Sequence, residues 1–276
     1  VADQRRVLAL VDRQAATRER LSTNLVGLLA RLWASLTPQQ RYDDAQVAAF
    51  AARAAALSKG ARTAASGAQE AYLRQILALL GTQPGRGLKV AIADAPRGVD
   101  PVAQYTRPVE EFRRLRVAGL DEFEANERAQ RRLQLIGDTD VSLAIRDTSA
   151  QVLASADKVT GWRRVVHPEL AKGGTCGLCI VASDRVYKRG DLMPLHARCN
   201  CAVVPIVKGQ TDPGAALNRD SLKTLYEAAG STKAADLAKT RYVVRTHGEL
   251  GPVLAVEGDH HRGPVEVERD TERAAS

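Results

Sequence analysis

The residues best equipped for chemistry are crowded into one short segment. Thr175-Cys176-Gly177-Leu178-Cys179 is followed, sixteen residues later, by His196-Ala197-Arg198-Cys199-Asn200-Cys201, and these two stretches hold all four cysteines of the chain. A Cys-x-x-Cys turn lets two thiolates reach one ion, and Gly177 eases that turn. His-x-x-Cys offers a second chelating pair and Cys-x-Cys a third. Zinc takes four N or S ligands in a tetrahedron, and a structural site is closed by four protein groups. Cys176, Cys179, His196, Cys199 and Cys201 are therefore five candidates for four places. An all-cysteine set leaves His196 outside. A three-cysteine, one-histidine set leaves Cys199 or Cys201 outside. Cys176 and Cys179 are ligands in both schemes.

Other chemistries fit this pattern less well. Clustering in a chain without an export signal argues against a disulfide framework. A cysteine nucleophile with His196 as base needs no second cysteine pair. A redox Cys-x-x-Cys is expected inside a βαβ frame, which the surrounding sequence lacks. Four thiols without any metal remain the plain alternative. The expectation is a metal-type knuckle around zinc, holding the loop ends together and positioning residues 184–195.

Two kinds of element must hold that knuckle. Trp162-Arg-Arg-Val-Val166 reads as a strand ended by His167-Pro168. Residues 201–207 read as a second strand, at an edge because Pro205 cannot donate to a ladder. Between them, Ile180 to Leu195 reads as a hairpin clamped at its base. Further on, short helices are expected at 221–229 and 233–239, then a hairpin from Tyr242-Val-Val-Arg245 and Val253-Leu-Ala-Val256 across the turn-rich Gly248–Pro252.

Upstream the chain is helical. Leu21, Leu25, Leu28, Leu29, Leu32 and Leu36 recur at helical spacing, so the first 36 residues read as one helix. Thr37-Pro38 ends it and starts the next. Helices are expected over 43–58 and 70–80, separated by Gly60 and Gly67, with Gly81 as a C-terminal cap. Residues 82–108, dense in Pro and Gly, read as a linker or extended arm. Helices resume over 109–118, 120–136 and 141–156, with Asp138-Thr139-Asp140 as an N-cap for the last. The fold class is α+β: long N-terminal helices, then a small C-terminal α/β module. The segments are 1–81, 82–108, 109–159, 160–257 and a charged, mobile tail, 258–276.

Composition narrows the class further. The 276 residues are 45% hydrophobic and 4% aromatic. No run approaches the roughly 18 apolar residues of a membrane span, and no signal-peptide core follows Asp3, Arg5 and Arg6, so a soluble chain without a membrane partner is expected. The net charge is +8, which suits either contact with a polyanion such as nucleic acid or a well-solvated, arginine-rich helical surface. No recognition-helix or RNA-binding signature surrounds the arginines.

Arg163-Arg-Val-Val-His-Pro-Glu169, Gly174-Thr-Cys-Gly-Leu-Cys179, Asp184-Arg-Val-Tyr187 and Pro194-Leu-His-Ala-Arg-Cys-Asn-Cys201 resemble the phage Mu F-like minor head proteins, in the form typical of actinobacterial tailed phages. Gly248-Glu-Leu-Gly-Pro252 adds to the likeness. The resemblance is specific over about 160–206 and looser over the helices before it. It implies a minor component of the capsid interior, present in the host cytoplasm during assembly. It also implies the portal protein and the major capsid protein as partners.

Related proteins are often labelled capsid maturation proteases, which makes a peptidase the second reading and a DNA-binding head protein the third. His167 and His247 are candidate bases, while His260 and His261 read as solvated. Ser142, Ser149, Ser155 and Ser183 are candidate nucleophiles without diagnostic surroundings. There is no Gly-x-Ser-x-Gly elbow and no His-Glu-x-x-His helix, and a zinc closed by four protein ligands lacks the open position that hydrolysis needs. A structural metal and no catalysis is the favoured expectation. Loss of Cys176 or Cys179 is then expected to unfold the C-terminal module and spare the helices.

Overall fold

The computed structural model describes residues 4–167, 170, 179, 182–183, 185–195, 200–219, 242–247 and 250–256. Cys176, His196, Cys199, the helices expected at 221–229 and 233–239, and the tail 258–276 lie outside the described residues.

Helix α1 spans Gln4–Ala34. Its buried face is Val7, Val11, Gln14, Ala15, Arg18, Ser22, Leu25, Leu29 and Trp33, the three- and four-residue spacing of one helical stripe. The leucine repeat thus marks only the second half of that face, which continues toward the N-terminus through polar Ser22, Arg18 and Gln14 and apolar Ala15, Val11 and Val7. Thr37 and Gln40 close a reciprocal box: the Thr37 amide donates to Gln40 Oε1 at 2.9 Å and the Gln40 amide to Thr37 Oγ1 at 3.3 Å. A short 3₁₀ turn, Gln40–Tyr42, follows.

Helix α2 runs unbroken from Asp44 to Leu79, capped by Asp43 through the amides of Ala45 and Gln46. The two helices expected here are one. Gly60 and Gly67 have open space where a Cβ would stand. Each costs a helix about 1 kcal/mol relative to Ala, and the buried face outweighs that. Gly81 closes α2 at φ 73°, where the Gly81 amide donates to Ala78 O and the Thr82 amide to Leu77 O. That is the paired bonding of a left-handed helix terminus.

Helix α3, Pro101–Val117, begins earlier than residue 109 because Asp100 caps it and Pro101 fills its first position. Helix α4, Glu122–Ser155, passes straight through Asp138-Thr139-Asp140. Those carboxylates do not cap a helix, because partners on other elements take them up.

Asp140, 4% exposed, accepts from Arg97 Nε at 3.0 Å and Nη2 at 2.7 Å, from Tyr105 Oη at 2.8 Å, and from Ser58 Oγ at 2.6 Å. The residues before α3 are consequently a fitted strap. Gln151 brackets Ala91 with two backbone bonds, and Arg62 donates to Ala93 O and Asp94 O. Other hydrogen bonds tie α4 to α2, Ser66 to Thr148 and Gln69 to Ser149.

Strands β1 (Val159–Val165), β2 (Val186–Lys188) and β3 (Ala202–Val207) form an antiparallel sheet in the order β2-β1-β3. Pro205 sits on an edge strand as expected, opposite Trp162. Among the described residues of the segment between the cysteine pairs, β2 pairs with β1 rather than with a neighbouring strand of a local hairpin. Strands β4 (Tyr242–His247) and β5 (Gly251–Val256) pair as the anticipated hairpin.

One hydrophobic cluster fills the four-helix body, around Leu25, Leu29, Trp33, Phe50, Phe112 and Leu133. The other is shared between helices and sheet: Val7, Val11, Leu73, Ile76 and Leu153 pack with Trp162, Val204, Cys179 and Cys201. Cys179 and Cys201 therefore rest on the same core as α1, α2 and α4.

Candidate metal centre

Strand β1 is the platform of the site. Residues at alternate positions of a strand share a face, which places Trp162 and Arg164 side by side. The Trp162 and Tyr187 rings stack at 4.2 Å with 6° between their planes. Gly161 permits this close approach, since a Cβ there would lie 2.5 Å from the Tyr187 carbonyl oxygen. Asn218 fastens the end of the strand, donating to Arg164 O at 2.7 Å and Ser183 O at 3.0 Å while accepting from the Val166 amide.

Cys179 lies in a helical turn and Cys201 immediately before β3, and the two sulfurs are 3.4 Å apart. Both are buried, at 3% and 7% exposure. Two thiolates bound to one zinc at about 2.3 Å in a tetrahedron stand about 3.7 Å apart, so this spacing fits a shared thiophilic ion. Arg164, with no exposed surface, donates from Nη1 to Cys179 Sγ at 3.6 Å and from Nη2 to Pro194 O. Of the five expected ligands, the described residues bring together Cys179 and Cys201, one from each half of the motif. Cys176, His196 and Cys199 lie outside them, as noted.

The helices also reach the cysteine segment. Arg18 of α1, 5% exposed, donates to the side-chain oxygen of Asn200, inside the Cys-x-Cys element. It also reaches Ser142 at 2.9 Å and Asp138 at 3.5 Å. Ser22 donates to the same Asp138 oxygen. Asn200 passes the connection on to Leu170 O at 2.9 Å. Tyr72 of α2 donates to Val203 O at 2.9 Å, and burial pushes its phenol well above the ordinary range, so it remains a donor. Arg146 of α4 donates to Leu250 O beside the β4–β5 hairpin.

The residues weighed as peptidase groups have other engagements. Ser142 accepts from Arg18, Ser149 from Gln69 and Ser155 from the Gly85 amide. Ser183 and His167 are buried beside β1. Side-chain positions for His247 lie outside the described residues. Arg18, Asn200, Arg164 and Asn218 are the contributors that sequence reading missed. The one available signal was Arg164 itself, an arginine in the middle of an apolar strand.

The family described as VG15 protein matches residues 6–229 of the chain, spanning α1 to the cysteine segment and beyond. No curated protein and no solved structure matches it. No helix among the described residues is long and apolar enough to cross a membrane.

Proposed function

Because the chain belongs to the VG15 protein family, a phage virion family, we propose that it is a minor head protein of the Mu F-like type, acting in capsid assembly at the portal and the inner capsid wall. Its cysteine module is held by a structural zinc ion. The observation that carries the metal reading is the pair of buried sulfurs, Cys179 and Cys201, brought to 3.4 Å from opposite halves of the motif. Cys176 supplies the third place, and Cys199 or His196 the fourth. A closed site of this kind contributes folding free energy and offers no position for substrate. The portal and the major capsid protein are the proposed partners, and the excess of basic residues suits a surface that also lies against packaged DNA.

Elemental analysis of protein purified from zinc-replete medium tests the metal reading, with one equivalent of zinc expected. Metal-free protein with reduced, folded thiols would overturn it. Cross-linking mass spectrometry on purified procapsids tests the location. Links from this chain to portal subunits support the placement, and links only to tail proteins would remove it.

A further inference from the structure

Arg164 links Cys179 to the backbone at Pro194. It is fully buried on β1, and its two terminal nitrogens point to different stretches of chain. Nη1 donates to Cys179 Sγ, the end of the Cys-x-x-Cys turn, and Nη2 to the Pro194 carbonyl, two residues before His196. We propose that Arg164 is a positioning residue of the metal centre, whose guanidinium fork ties Cys179 to the Pro194 carbonyl and braces the Cys179 sulfur by an N–H···S bond. The inference rests on the zinc reading above.

Three physical points support it. A guanidinium presents donors in a rigid plane, so one side chain can serve two acceptors in fixed directions, which a lysine ammonium on its flexible stem does not reproduce. A zinc centre with three or four thiolates carries net negative charge, and burying it beside a cation lowers the cost of taking that charge out of water. Groups that hydrogen-bond to ligand atoms set ligand orientation and tune metal affinity. Arg164 is itself fixed in place: its strand is paired on both sides, and its carbonyl accepts from Asn218. It therefore acts on the sulfur as part of a rigid frame. Arg163, next along the strand, turns the other way to Asp212 and the Ser183 carbonyl and makes a matched control.

The test compares wild type, Arg164→Lys and Arg163→Lys as full-length chains. Zinc transfer to a chromophoric chelator and the sulfur-to-metal absorption of cobalt-loaded protein are the readouts. Arg164→Lys is expected to weaken zinc binding about 10- to 100-fold and to shift the cobalt band, whereas Arg163→Lys changes neither. Equal affinity and an unchanged band in Arg164→Lys would overturn the assignment. A second measurement uses wild type alone, so it does not depend on a variant folding. NMR of cadmium-loaded protein should show coupling across the hydrogen bond between the metal nucleus and an arginine Nη proton, and its absence would also overturn the assignment. Wild-type protein that takes up no zinc, cobalt or cadmium would instead sink the metal reading, and Arg164's role with it.

Discussion

Asp140 and the Cys179–Cys201 pair are both polar centres shut inside this chain, and they are closed in different ways. Asp140 collects donors from the strap, α2 and α3, so a single carboxylate is answered by Arg97, Tyr105 and Ser58. The helical body needs nothing from outside at that point. The two sulfurs are soft, negatively inclined atoms brought into contact, and the arginine beside them braces one of the pair. In the proposed reading a shared zinc ion completes them. Buried charge is tolerated when it is matched and hydrogen-bonded; one region does this with its own side chains, and the proposed zinc would do it for the other.

Removing that ion should have the largest effect, since structural zinc in small domains supplies on the order of 10 kcal/mol. The cysteines share a core with Val7, Leu73 and Leu153, and Arg18 reaches Asn200 from α1. Chelation is therefore expected to lower the thermal midpoint of the helical signal as well as expose the sheet to protease. This revises the expectation drawn from the sequence that the helices would be spared. A helical midpoint unmoved by chelation would show that the regions are independent and break the comparison.

Asp140→Ala comes next. It strands the buried Arg97, and breaking a buried pair from one side costs about 3–5 kcal/mol. Urea unfolding should show that loss without any change in metal content, and a loss under about 1 kcal/mol would mean that Arg97 finds other partners. The smallest effect belongs to Tyr72→Phe, which removes one donor to Val203 and should cost about 1 kcal/mol.

The same tyrosine carries a pH signature. Burial raises the Tyr72 phenol, and burial followed by Asp140 raises that of Tyr105. Their folded values therefore exceed the unfolded value of about 10. The protonated phenols favour the folded state fully below that value, and the advantage is lost as pH rises above it. Stability should fall in the alkaline range, and Tyr72→Phe should make the fall shallower. An identical alkaline slope would remove Tyr72 from the account.

Much of the architecture was legible because it is local. The leucine spacing of α1, the Gly81 terminus, the strand read over 162–166 and found at Val159–Val165, the edge position of Pro205 and the second hairpin all follow from short-range chemistry. The failures were local signals outvoted by packing. Gly60 and Gly67 suggested a break, yet both face open space on a helix whose other side is buried. Asp138-Thr139-Asp140 has the composition of a cap, but Asp138 and Asp140 were answered by residues 120 and 43 positions away, Arg18 and Arg97.

For the candidate site, sequence alone determined the types and spacing of the candidate ligands, because chelation by Cys-x-x-Cys and Cys-x-Cys depends on atoms a few bonds apart. Tertiary structure alone decided that Cys179 meets Cys201, that Arg164 lies under one of them and that Arg18 reaches in from the first helix. Those contacts join residues between 15 and 182 positions apart, and nothing in the local chemistry of either partner specifies the other.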